Sequence, residues 1–259
     1  MKIGMNIFDG ISFDIQPTLF REAGISSTFL YSELKNFDKV TEDFLGKGIA
    51  VESLHAPFSN INDIWLEGEA GEVSLARLMD SVDKCARYNI PVSVVHTSSG
   101  WEIPEGVTET GICRYERLFE YADKRGVTIA VENLRRPDIF DYFMKNYNVG
   151  FCWDCGHENC FTEGVRFMRD YGERAVALHI HDNMCDRGVD NHLLPFDGKI
   201  DFGLVAYELA DKVYGGTLML EISKNSKKNG IAIYESLTDE QFIMIAKQAA
   251  ERLGAMTGL

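Results

Sequence analysis

Short runs of apolar and β-branched residues recur along the chain, and stretches with apolar residues at helical spacing separate them. Eight runs read as strands: KIGMNI (2–7), SSTFLY (26–31), AVESLH (50–55), PVSVVH (91–96), VTIAVE (127–132), VGFCWD (149–154), AVALHI (175–180) and GTLMLE (216–221). The 3.6-residue period between them predicts helices near 15–23, 36–47, 71–88, 111–125, 137–146, 161–171, 201–213 and 238–253. Strand followed by helix, eight times over, is the pattern of an α/β protein of the (β/α)8 TIM-barrel type. No linker, low-complexity tract or internal repeat interrupts it, so a single domain over 1–259 is expected.

The polar positions interrupt this pattern in one systematic place. Ionisable residues fall at strand ends: His55, His96, Glu132, Asp154, His179 with His181 nearby, and Glu221. Six consecutive expected strands, the third to the eighth, each deliver a metal-ligand residue type there. In a barrel the C-terminal rim is where strand ends and the loops after them converge on an active site. A charged group at the edge of a buried strand is costly unless paired or bound to a metal.

Composition narrows the partners. Hydrophobic residues make up 45% of the 259 residues, enough for a sizeable core. Lys and Arg total 26 against 40 Asp and Glu, a net charge of −14, which argues against a nucleic-acid or anionic-membrane partner. The start, MKIGMNIFDG, has no apolar leader, and no run of about 18 apolar residues follows. Cys85, Cys113, Cys152, Cys155, Cys160 and Cys185 are scattered, as suits free thiols in a reducing cytoplasm, the expected location.

Each rim residue has a structural alternative when taken singly. His55 in SLHAPF and His96 in VVHTSSG could be hydrogen-bonded loop histidines. Glu132 in IAVENL could pair with Arg135 or Arg136, and Glu221 in LMLEIS could sit in an ion pair. Asp154 in CWDCGHEN could cap a helix. Cys152-x-x-Cys155 invites a zinc-ribbon or redox reading, but no second CxxC exists and Cys155 falls in the turn. Together with His157, Asp190 and His192, however, the set supplies carboxylates and imidazoles suited to Zn, Mn or Fe. His179 and His181, two apart on a strand, share a face.

The ordered signature His55, His96, Glu132, Asp154-x-x-His157, His179, Asp190-x-His192 and Glu221 spans most of the chain. It resembles the xylose isomerase-like TIM-barrel superfamily, which holds sugar and sugar-phosphate isomerases and epimerases together with endonuclease IV-type apurinic endonucleases. LHIHDN looks like that family's strand-end histidine followed by Asp, which selects His179 over His181 as the ligand. HLLPFDGKIDF is similar to the HLLPGEGDIDF loop of the isomerase branch, with Phe196-Asp197 in place of Gly-Glu. The resemblance implies a core of Glu132, Asp154, His179 and Glu221 around one divalent ion. His55, His96, His157, Asp190 and His192 match positions that add ions in the endonuclease branch. One to three ions of Mn, Zn or Co are therefore expected.

The chemistry this favours is sugar or sugar-phosphate isomerisation or epimerisation through a metal-stabilised enediolate, with Glu132 and Glu221 as the catalytic proton-transfer pair. His157, His181, Lys224 and Trp101 are the expected substrate contacts; Phe58 and Trp153 are further candidates for an apolar wall. The alternative is an endonuclease IV-like phosphodiesterase with several metals. Against it, the loops after His55, His96 and Asp154 contain no Lys or Arg but carry Asp63, Glu67, Glu69, Glu72, Glu102, Glu105, Glu109, Glu158 and Glu163. Basic residues nearby are few: Arg135, Arg136, Arg187, Lys199, Lys224, Lys227 and Lys228. A non-catalytic barrel would be expected to lack a core ligand, and none is missing. A small-molecule sugar is the expected partner, and a homo-oligomer stays open.

Overall fold

The computed structural model describes residues 1–8, 10–101, 106–162 and 164–258. The acidic positions Glu102, Glu105 and Glu163 lie outside the described residues. All eight expected strands form: β1 (Lys2–Asn6), β2 (Ser27–Tyr31), β3 (Ala50–His55), β4 (Val92–Val95), β5 (Thr128–Glu132), β6 (Gly150–Asp154), β7 (Ala175–His179) and β8 (Thr217–Leu220). They pair in parallel in the order β7-β6-β5-β4-β3-β2-β1-β8. A parallel bridge from Ile180 to Leu220 joins the two ends of that order. The Ile180 N–H donates to Met219 (2.9 Å) and the Glu221 N–H to Ile180 (3.0 Å), so the barrel closes at its rim.

Alternation along the strands sorts the side chains into two layers. Ile129, Val131, Phe151 and Trp153 join the large apolar layer beneath the helices. Val92, Val94, Ala130 and Cys152 form a separate small cluster with Ala177. These are the alternate positions of β4 to β7, and the smaller residues among them fill the narrow barrel interior. Two residues further along each strand, the same inward rank ends in His96, Glu132, Asp154 and His179. The site is thus the polar top layer of the barrel core.

The helices are α1 (Gln16–Ala23), α2 (Phe37–Gly46), α3 (Glu69–Tyr88), α4 (Glu109–Asp123), α5 (Pro137–Asn146), α6 (Cys155–Phe161), α7 (Phe167–Tyr171), α8 (Phe202–Asp211) and α9 (Asp239–Thr257). One expectation fails here. The helix expected at 161–171 is instead two short helices, and α6 begins directly at the end of β6. Asp154 caps it, accepting from the His157 N–H at 2.6 Å. Gly164, at φ 84°, then reverses the chain before α7. A single-turn helix at Ile61–Trp65 and a small hairpin, β9 (Lys227–Lys228) with β10 (Ile231–Ala232), were not anticipated. No described helix is long and apolar enough to cross a membrane.

Candidate metal centre

Glu132 lies at the middle of the site and is 1% exposed. Its Oε2 accepts from His96 Nε2 (3.0 Å) and lies 3.3 Å from His55 Nε2. Its Oε1 meets His179 Nδ1 at 3.0 Å and His157 Nδ1 at 3.4 Å. His179 Nδ1 also faces Glu221 Oε2 at 3.3 Å, so the glutamates from β5 and β8 converge on one imidazole nitrogen. Asp190 bridges the far side: its Oδ2 lies 3.1 Å from His157 Nε2 and 3.0 Å from His192 Nε2. All nine residues of the expected ligand set come together.

His181, an expected substrate contact, joins them. Its ring is fully buried; Nε2 meets Asp154 Oδ1 at 3.1 Å, and the ring stacks on His192 with centroids 4.3 Å apart. Gly156 makes this possible. A Cβ there would stand 1.9 Å from His181 Cε1, so only glycine leaves room for the imidazole.

Several imidazoles are oriented from behind. His55 Nδ1 donates to the Ala56 carbonyl (2.9 Å), and His192 Nδ1 to the Glu221 carbonyl (2.9 Å). His157 Nδ1 donates to the Asn133 carbonyl (3.1 Å). In each ring this turns Nε2 into the cluster, where loss of its proton would leave the lone pair of a metal ligand. Asn133 does more: its side chain binds both the N–H and the carbonyl of Asp154, each at 2.8 Å. His192 holds a left-handed backbone, φ 47°, which costs a non-glycine residue about 1–2 kcal/mol and is sustained by its hydrogen bond and stacking. Phe196, in the loop position where glycine is usual, is also left-handed at φ 77° and packs on Phe202.

Electrostatics follow from this crowding. Burial pushes the Glu132 carboxyl up, but the imidazoles of His179 and His96 outweigh it and hold it well below the usual carboxylate range. Asp190 is likewise held well below its usual value: His181, His192 and His157 overcome its burial. Desolvation pulls the partly buried His192 down, yet Asp190 raises it to about 10. Glu132 and Asp190 are thus held ionised and His192 holds a proton, which an ion bound here would displace. Several overlapping groups keep their donor atoms mutually within 4.8 Å, among them His55, His96 and Glu132; His55, His179 and Glu221; Glu132, Cys152 and His179; Asp154, His157 and His181; and His181, His192 and Glu221. Donor chemistry, burial and oriented tautomers all fit divalent metal.

The cleft above the cluster is about 270 Å³ and is lined also by Tyr31, Phe58, Ser99, Leu134, Arg135 and Phe161. Phe58 stands 4.8 Å from the His96 ring and 5.3 Å from His55, an apolar wall. Trp153, by contrast, is fully buried outside the barrel, its Nε1 donating to Glu158. Trp101 sits one layer out, edge-on to Phe161 at 6.2 Å. Lys224 is not at the cleft: its ammonium is held by Asp239 at the start of α9. Asp182 is structural: its carboxylate is fully buried and accepts from the N–H groups of Asn183, Gly198 and Ile200, shaping the loop. Sequence reasoning missed Tyr31, whose hydroxyl donates to Glu221 Oε1 at 3.4 Å, and Phe161, stacked on His157 at 4.8 Å. Tyr31 ends the second strand, and position alone could have flagged it.

A larger hollow, about 620 Å³, lies at the opposite end of the barrel beside Thr128 and Gly150. It contains no histidine and adjoins strand starts, so the chemistry lies elsewhere.

The sequence profile of the xylose isomerase-like TIM barrel matches residues 8–241. The uncharacterized protein y4fM of Sinorhizobium fredii is 30% identical over 161 residues, covering 56% of this chain and 51% of y4fM; the match thus spans about half of that relative's length. D-Psicose 3-epimerase of Clostridium cellulolyticum H10, solved with D-tagatose, superposes with a TM-score of 0.79 over 99% of both chains at 16% identity. An L-ribulose 3-epimerase gives 0.75 at 18% identity, over 100% of this chain and 95% of its own. The 3-keto-D-glucoside 4-epimerase YcjR of E. coli gives 0.73 at 16%, over 97% and 99%. At such identities the likeness to solved structures is one of fold. The profile match, which runs through all eight barrel strands but the first, carries the assignment: the chain belongs to the xylose isomerase-like TIM-barrel family.

Proposed function

We propose that the protein is a divalent-metal-dependent isomerase or epimerase of a small sugar, with Glu132 and Glu221 as the proton-transfer pair. The observation that carries this reading is a small cleft floored by two buried glutamates that meet at a single imidazole. When bound, a divalent ion polarises the sugar's carbonyl and hydroxyl oxygens and stabilises the charge that develops as a proton leaves the adjacent carbon. Glu221 is the less crowded carboxylate. Among the described residues its Oε1 is hydrogen-bonded by the Tyr31 hydroxyl alone, whereas both oxygens of Glu132 meet imidazoles. Glu221 therefore takes the proton from one face of the sugar, and Glu132, once charged with a proton from solvent, delivers a second one to the opposite face while Glu221 loses its own to water. Burial, then the Glu221 charge, push the Tyr31 phenol well up, so it remains a donor that steadies Glu221. Phe58, Leu134 and Phe161 exclude water from the cleft.

One observation favours a second reading, a phosphodiesterase with several metals: Asp190 and His192 stand beside His157, ready to hold further ions. The scarcity of cations argues against it. Arg135 is the one Lys or Arg among the described residues lining the cleft, and the chain carries a net charge of −14.

Incubation with ketoses in deuterated water plus Mn, Zn or Co should place solvent deuterium on the sugar. Glu221→Gln should reduce exchange by at least about 10²–10⁴-fold. Nicking of an abasic duplex, without exchange into any sugar of a broad panel, would overturn the reading. Elemental analysis of the purified protein gives the number of ions.

A further inference from the structure

Arg135 has no acidic partner within ion-pair distance among the described residues, although it lines the cleft beside Glu132, His157 and Glu221. Its neighbour Arg136 shows the contrast: that guanidinium is locked onto Asp138 by two hydrogen bonds, at 2.8 and 2.6 Å. Arg135 instead lies flat on an aromatic surface. Its guanidinium carbon is 3.5 Å from the centre of the Phe161 ring and 6.0 Å from that of Trp101. Phe161 in turn stacks on His157, so Arg135 is tied to the metal cluster by one intervening ring. Asp190, the carboxylate whose charge reaches Arg135, is already shared between His157 and His192.

Arg187 repeats the arrangement further out. It is exposed, makes no ion pair among the described residues, and stands 4.8 Å over Trp101. Two guanidinium groups that make no hydrogen bond or ion pair among the described residues thus flank Trp101, in a protein with 40 acidic and 26 basic residues. Stacking satisfies the faces of a guanidinium but leaves its in-plane N–H donors unused. Those donors match the paired oxygens of a phosphate or carboxylate, and partial desolvation strengthens such a contact.

We propose that Arg135 receives an anionic group of the substrate, with Arg187 attracting it at the entrance, so that the sugar processed here carries a phosphate or a carboxylate. The assignment deepens the isomerase reading, on which the choice of ketose probes rests.

Calorimetric titration of the Mn-loaded protein with D-fructose, D-fructose 6-phosphate and D-fructuronate tests it. At least one anionic ketose should bind about tenfold or more tightly than fructose, and which one does so distinguishes phosphate from carboxylate. Arg135→Gln should remove that preference while leaving fructose binding in place; Arg136→Gln should keep it, because Arg136 is engaged by Asp138. If neither anion binds more tightly than fructose, or if Arg135→Gln retains the full preference, the assignment is overturned. Deuterium exchange separates it from the reading beneath: an anion preference without exchange supports the Arg135 site and removes the proton-transfer chemistry.

Discussion

At the scale of single residues, the site depends on small and neutral neighbours as much as on its ligands. Gly156 is the clearest case. An added Cβ would overlap the His181 ring at 1.9 Å, and that ring is enclosed by Asp154 and His192. Gly156→Ala is therefore expected to weaken metal binding about tenfold or more, measured by calorimetric titration with Mn or Zn, although alanine favours the surrounding helix. Unchanged affinity would mean that His181 takes no part in holding ions. The sequence marked His179 and disfavoured His181, because a motif match and strand alternation cannot say how far each ring reaches. That depends on Gly156, a position without any chemistry of its own.

Between elements, the rim loops are cross-linked more firmly than their composition suggested. Trp65 Nε1 donates to the Thr97 carbonyl (2.8 Å), and Asn62 exchanges two hydrogen bonds with the Ser99 backbone. Arg114 of α4 is 5% exposed and donates to the carbonyls of Ile64, Leu66 and Gly68 and to Glu72. Arg114→Met should leave three carbonyls without their buried donor and cost about 2–4 kcal/mol, read from the urea midpoint. A change under about 0.5 kcal/mol would show that water replaces the guanidinium. The strands were legible in the sequence to within a residue or two, because each is a compact β-branched run. The α6–α7 segment was not: CGHENCF carries polar residues that are buried here, His157 toward the cluster and Glu158 against Trp153 and Arg166. A helix whose inward face is polar has no apolar stripe to find.

Across the whole molecule, the proposed ligands stand at the ends of β3 to β8, in α6 and in the loop after β7, so bound ions would tie six strands together at the rim. Metal removal should consequently lower thermal stability. At an ion concentration about 100-fold above Kd, linkage contributes about 2.7 kcal/mol, or roughly 5–10 °C in Tm for a chain of this size. Scanning calorimetry with and without a chelator, followed by re-addition of Mn or Zn, measures it; no shift would argue that the cluster holds no ion. The barrel was readable from eight alternations of strand and helix, and the rim position of the proposed ligands from the polar residues at strand ends. The loss of Lys224 to Asp239 was not, since that pairing depends on how α9 packs against the rim.

Asp154 illustrates how a folding signal and a chemical group can be the same atoms. Its Oδ1 accepts the His157 N–H that starts α6 and also faces His181. Deleting the side chain would confuse two losses, a helix start and a ligand. Asparagine caps a helix as well as aspartate does but lacks the negative charge. Asp154→Asn should therefore retain the far-ultraviolet circular dichroism spectrum while losing metal affinity, whereas Asp154→Ala should lose both stability and metal. The pair of variants would disentangle the chain's architecture from its chemistry at the one residue where they are fused.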